Sequence, residues 1–459
     1  MKLVLIVPNF DTYVITPQLG VMYLSSYLKK FGHEVKIIDA LRDNLSYKQI
    51  MEIVEKEQPQ AVGIHCLSSF LQQVIDITKL LKEKNYKVFV GGVHPTFSPR
   101  STLVDTGADY VICGEGEIPL LKLVENNFVN NSIQGVYSID DLQSDEFLID
   151  GSPVLKGEVI ENLDEIPFPD WDQCPPNSFP HAPHAISAKG YPIGIVTTSR
   201  GCPFRCTFCS SHNFYKGVRF RSVDNVIAEI KLLIEKYHIK ELQFIDDNLT
   251  LKKSYALEVC ERMIKEGLVI DWSPINGIRA DAFDEELALK MKESGCYLVD
   301  FGIEAVNAQI LKNIKKGETI ETITKAIECS HKAGLITIGN FIFGLPGDTK
   351  ATVEEAIDYA VKSKLDRAGF FALNVLPGSD IANELKKQGV EIKTSALFST
   401  STHLVSELSS KEIEKYVQKA YWRFYFRPKI LFNILKTIPL RQYKYLFKCL
   451  QKYNIFKFW

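Results

Sequence analysis

The stretch "SRGCPFRCTFCS" at residues 199–210 places three cysteines within eight residues, in the spacing C-x3-C-x2-C. Cys202, Cys206 and Cys209 have no fourth cysteine beside them. Structural zinc normally takes four ligands in two separated pairs, and a C-x2-C redox pair would leave Cys202 unexplained. An iron–sulfur cluster is held by cysteine thiolates, normally four. Three thiolates on a [4Fe–4S] cluster leave one iron open, and an open metal site can bind and activate a small molecule.

The cysteine stretch lies within a regular alternation of strands and helices. Residues 191–385 contain six short apolar strand segments, and each of the first five is followed by an amphipathic helix segment. This rhythm is typical of βαβ units with parallel strands. Six strands are too few for a closed eight-stranded barrel, so the pattern predicts a partial (β/α)6 barrel with polar residues at its mouth.

Residues 1–135 show the same alternation and predict an α/β domain, a doubly wound, Rossmann-like parallel sheet. Such sheets bind ligands at the loops that leave the carboxyl ends of the strands. Gly91, Gly92 and Gly114 lie in those loops and would let the backbone approach a ligand closely. Any one of these glycines could simply end a strand. Several such loops at one edge favour a cofactor of nucleotide size or larger.

Composition is that of a globular protein. The 459 residues are 46% hydrophobic and 24% charged, enough for two or three domains. Ten cysteines are too few for a disulfide scaffold. We find neither a signal peptide nor an apolar run of membrane-spanning length, so we expect a cytoplasmic protein with reduced thiols. Residues 136–190 are rich in Pro, Asp and Ser and predict an ordered linker.

The C-terminal region, residues 386–459, is predicted to be helical. Residues 421–459 hold nine Lys or Arg, thirteen aromatic residues and no Asp or Glu. Without them the chain carries 45 basic and 56 acidic residues, a net charge of −11. A basic aromatic helix can bind an anionic membrane surface, or it can cap the barrel with its aromatic side chains. We weigh these two interpretations equally and place nucleic acid well behind them.

The cysteine motif, at the end of the first barrel strand, resembles that of the radical S-adenosylmethionine family. The resemblance implies that Cys202, Cys206 and Cys209 are the cluster ligands. It also implies that the open iron binds the amino and carboxylate groups of S-adenosylmethionine. One electron, from a donor such as flavodoxin or ferredoxin, then cleaves this sulfonium to a 5′-deoxyadenosyl radical.

Other residues match the family at the ends of the barrel strands. Phe208 resembles the aromatic residue near the adenine, and Gly344 in "FIFGLPGD" resembles the glycine of the adenine segment. In "FIDDN", Asp246 and Asp247 are candidates to bind the methionine amino group, although the family's usual Gly-Gly-Glu is absent. Arg279 and Glu304 resemble the pair that contacts the ribose and the methionine carboxylate. Alternatively, Arg279 and Glu304 form a salt bridge with each other.

The N-terminal sheet is similar to the cobalamin-binding domain that is fused to a large subgroup of this family. The resemblance covers most of residues 1–385. Many such domains supply an axial histidine from an Asp-x-His-x-x-Gly motif, and this sequence has none. His65 and His94 lie at loop ends but lack that context. We therefore expect cobalamin bound without a histidine ligand, in a site formed by these loop residues: Ser68, Ser69, Gly91, Gly92 and Gly114.

Together these resemblances imply a cobalamin-dependent radical S-adenosylmethionine enzyme. The expected reaction is methylation of an unactivated carbon on a small or lipid-like substrate. Ring formation or oxidative cyclisation of a tetrapyrrole is the first alternative. A tRNA methylthiotransferase is a weaker alternative, because it would require three more clustered cysteines in the N-terminal domain. A non-catalytic cobalamin sensor is another, but it would not require the cysteine motif. The sequence does not identify the substrate.

Overall fold

The computed structural model describes residues 1–12, 14–142, 148–149, 152–153, 156–182, 188–268, 270–392, 401, 404–437 and 443. The chain divides into two compact units. Unit 1 comprises Met1–Phe179, Ser210–Arg219 and Pro377–Asn383. Unit 2 comprises Pro180–Cys209, Phe220–Leu376 and Glu384–Trp459.

Strands and helices alternate along residues 1–153. They are β1 (Lys2–Val7), α1 (Leu19–Lys30), β2 (Glu34–Asp39), α2 (Tyr47–Glu57), β3 (Ala61–His65), α3 (Leu71–Glu83), β4 (Val88–Gly91), α4 (Val93–Phe97), α5 (Pro99–Thr106), β5 (Tyr110–Ile112), α6 (Glu117–Glu125), β6 (Val136–Tyr137), β7 (Leu148–Ile149) and β8 (Ser152–Pro153).

The main sheet of unit 1 has the strand order β2-β1-β3-β4-β5-β6. The first five strands pair in parallel, which confirms the predicted α/β fold. β6 pairs antiparallel to β5 and was not predicted. β1 is an apolar strand between β2 and β3, and its residues from Leu3 onward are at most 3% exposed. The chain order reverses between β1 and β3, and ligands of open α/β sheets bind at such a switch point.

Much of the segment that was predicted as a linker packs within unit 1. Asp170 accepts hydrogen bonds from Ser25 Oγ at 2.6 Å, from Lys29 Nζ at 2.5 Å and from Gln173 Nε2 at 2.7 Å. The neighbouring Trp171 is buried. These contacts fix the segment on α1, so this part of the chain is an integral layer of unit 1.

The remaining elements follow from residue 193 onward. They are β9 (Ile193–Val196), β10 (Ser199–Arg200), α7 (Ser211–Phe214), β11 (Arg219–Phe220), α8 (Val223–Tyr237), β12 (Glu241–Phe244), α9 (Lys253–Lys265), β13 (Asp271–Pro274), α10 (Glu285–Glu293), β14 (Leu298–Glu304), α11 (Ala308–Asn313), α12 (Ile320–Lys332), β15 (Ile336–Phe343), α13 (Lys350–Lys362), β16 (Arg367–Ala372), α14 (Asp380–Lys387), α15 (Ser410–Tyr425) and α16 (Pro428–Thr437).

Unit 2 contains the predicted partial barrel. Its parallel strands form two groups, β9-β12-β13 and β14-β15-β16. Single bridges from Trp272 to Cys296 and from Ile278 to Phe301 join the groups. The strands therefore follow one another in chain order, and their carboxyl ends meet at one mouth.

Polar side chains at the N-caps start several helices of this barrel. Ser222 accepts a hydrogen bond from Asn225 N at the start of α8. Asp284 does the same for Leu287 N at α10, and Thr319 for Thr322 N at α12. Each cap satisfies a backbone donor that has no partner inside the helix, which stabilises the helix by about 1 kcal/mol.

The C-terminal helix α15 covers the outer edge of the barrel. Tyr425 Oη donates to Ala368 O at 2.8 Å and accepts from Ala368 N at 3.2 Å. Tyr421 Oη accepts from Phe370 N at 3.3 Å. These hydroxyls occupy backbone groups that would otherwise remain open on the edge strand β16. Part of the basic aromatic region therefore caps the barrel, as one of its two interpretations expected.

None of the helices described here is long and apolar enough to cross a bilayer.

Candidate functional site

The loop that carries the three cysteines is fixed at its start by Asp246. This carboxylate accepts from Thr198 N at 2.9 Å, Thr198 Oγ1 at 2.7 Å and Ser199 Oγ at 2.6 Å. Burial raises the pKa of Asp246, and the hydrogen bonds from Ser199 and Thr198 oppose that rise. Asp246 therefore holds the loop at the end of β9, and these contacts occupy the carboxylate that was a candidate for the methionine amino group.

The same loop is held further along by Arg279 and by the backbone. The Arg279 guanidinium lies 3.6 Å from the ring centroid of Phe204, inside the loop. Arg279 also donates to Lys316 O at 2.7 Å, and Thr207 N donates to Ile314 O at 3.0 Å. A cation stacked on an aromatic face in a desolvated site stabilises by about 2 kcal/mol. The loop geometry thus depends on residues that are distant along the chain.

The charged groups at the mouth of the barrel form one buried cluster. Lys316 Nζ lies 3.4 Å from Glu304 Oε1 and 3.3 Å from Glu318 Oε2. Glu318 Oε1 also accepts from Ala280 N at 2.6 Å. Burial alone would lower the pKa of Lys316, but the carboxylates of Glu304 and Glu318 outweigh it and raise that pKa. The cluster therefore keeps a buried cation at the strand ends.

The backbone aims Glu304 into this cluster. The pairing of β14 with β15 shifts register between Gly302 and Glu304, and Glu304 has a φ of 63°. Residues other than glycine rarely adopt this left-handed conformation, and such strain concentrates at functional sites. Bulges likewise re-aim side chains next to active sites.

Arg279 and Glu304 do not form the salt bridge with each other that was their alternative role. Arg279 Nη2 lies 2.7 Å from Asp281 Oδ2, and Arg279 Nη1 lies 3.9 Å from Glu318 Oε2. The partner of Glu304 is Lys316. Sequence reasoning missed Lys316 and Glu318, which follow α11 in "KKGE" and resemble an ordinary charged surface turn.

The cysteine loop fits an iron–sulfur cluster in its chemistry. Its donors are three soft thiols in one loop, and Cys209 N donates to Cys206 O at 3.0 Å. Burial raises the pKa of Cys206, and Lys316 opposes that rise. The Thr207 hydroxyl is buried and has no hydrogen-bond partner within the described part of the chain, so it is available to a cluster sulfide. Across that same part, no three His, Cys, Asp or Glu side chains converge on a site for a single metal ion.

Two other predicted residues near this mouth have different surroundings. Gly344 has a φ of 89°, its N–H donates to Asp348 Oδ2 at 2.9 Å, and a Cβ there would lie 2.7 Å from Ile413 Cδ1. Its backbone donor is therefore already used by the turn. Phe208 is half-buried in the cysteine loop, and Asp247 is exposed after β12.

At the predicted cobalamin edge of unit 1, the loops after β3 and β4 present neutral groups and backbone, whereas Glu115 after β5 forms a buried ion pair with Arg219. Ser68 Oγ lies 2.7 Å from His94 Nδ1, and Gly114 N donates to Thr96 Oγ1 at 2.8 Å. Ser69 is exposed. Burial lowers the pKa of His65 to about 4, so this imidazole is neutral at physiological pH.

The glycines of this edge have two different roles. Gly92 has a φ of 124°, and a Cβ there would lie 2.5 Å from Cys66 O, so only glycine allows the two loops to pack. A Cβ on Gly91 would meet its nearest atoms, in Ile112, only at 3.9 Å. A side chain at Gly91 would thus make an ordinary van der Waals contact, and the packing of the chain does not itself require glycine there.

The comparisons with known proteins match both parts of the chain that carry these candidate sites. The family model described as the radical SAM superfamily matches residues 196–360, and the model described as the B12 binding domain matches residues 7–124. An uncharacterized methyltransferase of Pyrococcus horikoshii is 35% identical over 444 residues, covering 94% of each chain.

Two further relatives have more specific names. Cytidylyl-2-hydroxyethylphosphonate methyltransferase of Streptomyces wedmorensis is 30% identical, covering 82% of this chain and 78% of its own. Anaerobic magnesium-protoporphyrin IX monomethyl ester cyclase of Rubrivivax gelatinosus is 28% identical, covering 95% of this chain and 78% of its own.

The fold also matches a solved structure. The radical S-adenosylmethionine methyltransferase TsrM of Kitasatospora setae, with cobalamin and a [4Fe–4S] cluster bound, aligns with a TM-score of 0.68 and 18% identity. The alignment covers 86% of this chain and 76% of TsrM. The chain belongs to the cobalamin-binding radical S-adenosylmethionine enzymes, and its cofactors are a [4Fe–4S] cluster, S-adenosylmethionine and cobalamin.

Proposed function

We propose that this enzyme methylates an unactivated carbon of a small-molecule substrate. The observation that carries the proposal is the presence of two candidate cofactor sites on one chain, a cysteine loop beside buried ions and a glycine-containing sheet edge. When bound, the cofactors supply a carbon-centred radical and a transferable methyl group. The chain's own residues hold these cofactors and exclude water.

Within unit 2, Cys202, Cys206 and Cys209 are the proposed cluster ligands. Lys316 is the proposed partner of the methionine carboxylate, because it is a buried cation at the strand ends. Glu304 is proposed to accept a hydrogen bond from the ribose. Asp246 and Arg279 are proposed as positioning residues for the loop, since they contact its backbone and Phe204.

The test is a labelling experiment with the complete enzyme. The chain is purified and reconstituted anaerobically, then incubated with methyl-labelled S-adenosylmethionine and a metabolite extract of its native host. The proposal expects a product that carries one labelled methyl group, together with 5′-deoxyadenosine. Products without label in every sample that consumes S-adenosylmethionine would contradict methylation.

Ring closure is the second candidate, and it is favoured by the likeness to the Rubrivivax cyclase over 95% of this chain. The same labelling experiment separates the two reactions. A cyclase converts its substrate without incorporating the label, and the mass of the product reports a loss of hydrogen. A methyltransferase adds the labelled group.

We also propose that α16 attaches the enzyme reversibly to anionic membranes, near a lipid-like substrate. Phe432 is 67% exposed, Leu431 is 43% exposed, and Phe426 just before the helix is 53% exposed. Lys429 lies on the same short helix. Apolar side chains next to cations are typical of helices that lie in a membrane interface.

Because α15 caps the barrel, truncation at Tyr421 would damage the fold. A better test replaces Leu431 and Phe432 with Glu and compares sedimentation with anionic and neutral vesicles. We expect the intact enzyme to bind anionic vesicles, less strongly at high salt, and the double variant to lose this binding. Equal sedimentation of both proteins would contradict the proposal. The double variant Val104→Glu and Leu289→Glu is the control, because it also replaces two exposed apolar side chains and changes the net charge by the same amount.

A further inference from the structure

The interior face of β16 is partly exposed, while its other face is buried. Residues of β16 alternate between half-buried and buried. The buried Phe370 packs against Phe424 of α15, with ring centroids 6.1 Å apart, so this face of the strand is the outer one. Gly369 and Phe371 therefore face the interior, where they remain partly exposed.

Two glycines make room for polar side chains in this interior, Gly369 for the amide of Asn340 and Gly302 for the carboxylate of Glu304. Asn340 is the register partner of Gly302 on β14 and of Gly369 on β16. A Cβ on Gly369 would lie 2.5 Å from Asn340 Oδ1, and a Cβ on Gly302 would lie 2.5 Å from Glu304 Oε1. Any larger residue in this row would displace the polar side chains beside it.

Asp300 lies beside this amide and is 2% exposed. Its Oδ1 accepts a hydrogen bond from Asn340 Nδ2 at 2.8 Å. Within the residues that the structure describes, this is the one hydrogen bond of the Asp300 carboxyl. No salt bridge there pairs the carboxyl with a cation. The second carboxyl oxygen of Asp300 and Asn340 Oδ1 can thus each accept a hydrogen bond from a ligand.

The charged groups nearest to Asp300 do not neutralise it. Glu304, on the same strand, is negative and paired with Lys316. Tyr425 of α15 interacts electrostatically with both Asp300 and Arg367 of β16, but burial raises the pKa of Tyr425 and keeps it neutral. Burial also raises the pKa of Asp300 to about 7. A buried carboxyl without a cation costs folding free energy, and such groups concentrate at functional sites.

We propose that Asp300 and Asn340 bind a protonated primary amine of the substrate. An ammonium group has several N–H donors, which match two acceptors, and its charge neutralises the carboxylate. A hydroxyl can donate only one hydrogen bond, and a carboxylate or phosphate would be repelled. The inference rests on the proposed function, because it takes the barrel interior as the place where the substrate binds.

The test measures binding of small probes to the reconstituted full-length enzyme. The probes are benzylammonium, benzyl alcohol and phenylacetate, observed by saturation-transfer NMR. The variant Asp300→Asn keeps the shape of the side chain and removes its charge. Asp271→Asn is the matched control. Asp271 lies at the start of β13, is 43% exposed and pairs with Lys189.

We expect benzylammonium to bind to the native enzyme and to the control variant, and its affinity to fall about tenfold or more in Asp300→Asn. Its affinity for the native enzyme should rise between pH 6 and pH 8, as Asp300 ionises near its pKa of about 7, and should stay flat in Asp300→Asn. Equal binding of benzylammonium to the native enzyme and to Asp300→Asn would overturn the proposal. So would the absence of binding to the native enzyme.

Formation of 5′-deoxyadenosine without substrate is measured in parallel. It should be the same in native enzyme and Asp300→Asn, because Asp300 is proposed to contact only the substrate. If neither protein formed 5′-deoxyadenosine, this would count against the proposed function. If both proteins formed it and benzylammonium bound equally to both, this would count against the amine site alone.

Discussion

The barrel mouth of unit 2 and the loops after β3 and β4 of unit 1 differ in the charge that they bury. In unit 2, Lys316 is packed between Glu304 and Glu318 at the mouth of the barrel. In unit 1, the loops after β3 and β4 carry hydroxyl groups, backbone groups and the neutral imidazole of His65, and the buried ion pair of Glu115 with Arg219 lies after β5. Since burying charge is costly, each edge indicates the kind of molecule that it holds. Ion pairs suit a zwitterionic amino acid group, and neutral loops suit a large macrocycle.

The largest effect on activity is expected from replacing the three cysteines of the loop at the barrel mouth. Replacing Cys202, Cys206 and Cys209 together with Ala should abolish the cluster and the formation of 5′-deoxyadenosine, because no thiolates would remain to hold the iron. Iron analysis and anaerobic absorption spectra measure the cluster. Cys329→Ala, on α12, is the control and should keep it. A triple variant that still holds about four irons would show that the ligands lie elsewhere.

The next effect tests whether the buried ions depend on one another. Lys316→Met leaves Glu304 and Glu318 without their shared cation, and it should lower the free energy of unfolding by about 3 kcal/mol. Adding Glu304→Gln should recover part of this loss, because one unpaired charge is removed. Denaturant unfolding of the cofactor-free chain measures both variants. A loss of stability that is simply additive would contradict the coupling.

The neutral imidazole of His65, at the end of β3, leads to a prediction about how stability depends on pH. The pKa of His65 is about 4 in the folded chain, below the unfolded value of 6.5, so folding favours its neutral form. Stability from this neutral form is present above pH 6.5 and is lost as the pH falls toward 4. The difference is about 3 kcal/mol by linkage.

The measurement is denaturant unfolding at pH 7.5 and pH 4.5. On acidification His65→Gln should lose less stability than the native chain, whereas the exposed His331→Gln should lose as much as the native chain. If His65→Gln and the native chain lost the same stability on acidification, the neutral imidazole would not be the cause.

The smallest effect concerns cobalt, where we expect no change at all. Without an Asp-x-His-x-x-Gly motif, cobalamin should bind to unit 1 with no histidine on the metal. The electron paramagnetic resonance spectrum of the Co(II) state should lack nitrogen splitting from a histidine. His94→Gln should leave it unaltered, although the hydrogen bond to Ser68 is lost. Splitting that disappears in His65→Gln or His94→Gln would identify an axial ligand and contradict the prediction.

Local sequence patterns carried much of the fold. Alternating apolar strands and amphipathic helices predicted both the parallel sheet and the partial barrel, because the periods of 2 and 3.6 residues are properties of near neighbours. β6 was missed because two residues are too few to show a period. The spacing C-x3-C-x2-C predicted the cluster, and the family matches support that cofactor. The individual ligands and the other predicted site residues remain predictions.

The sequence by itself determined which elements form and which loop carries the thiols. Only the tertiary structure decided that Asp246 is occupied by the loop, that Lys316 joins Glu304 and Glu318, and that α15 closes the edge of β16. These contacts join segments that are distant along the chain, or depend on a bulge that turns one side chain. Their residue types are ordinary in the sequence, and they become a site only when the parallel strands bring their carboxyl ends together.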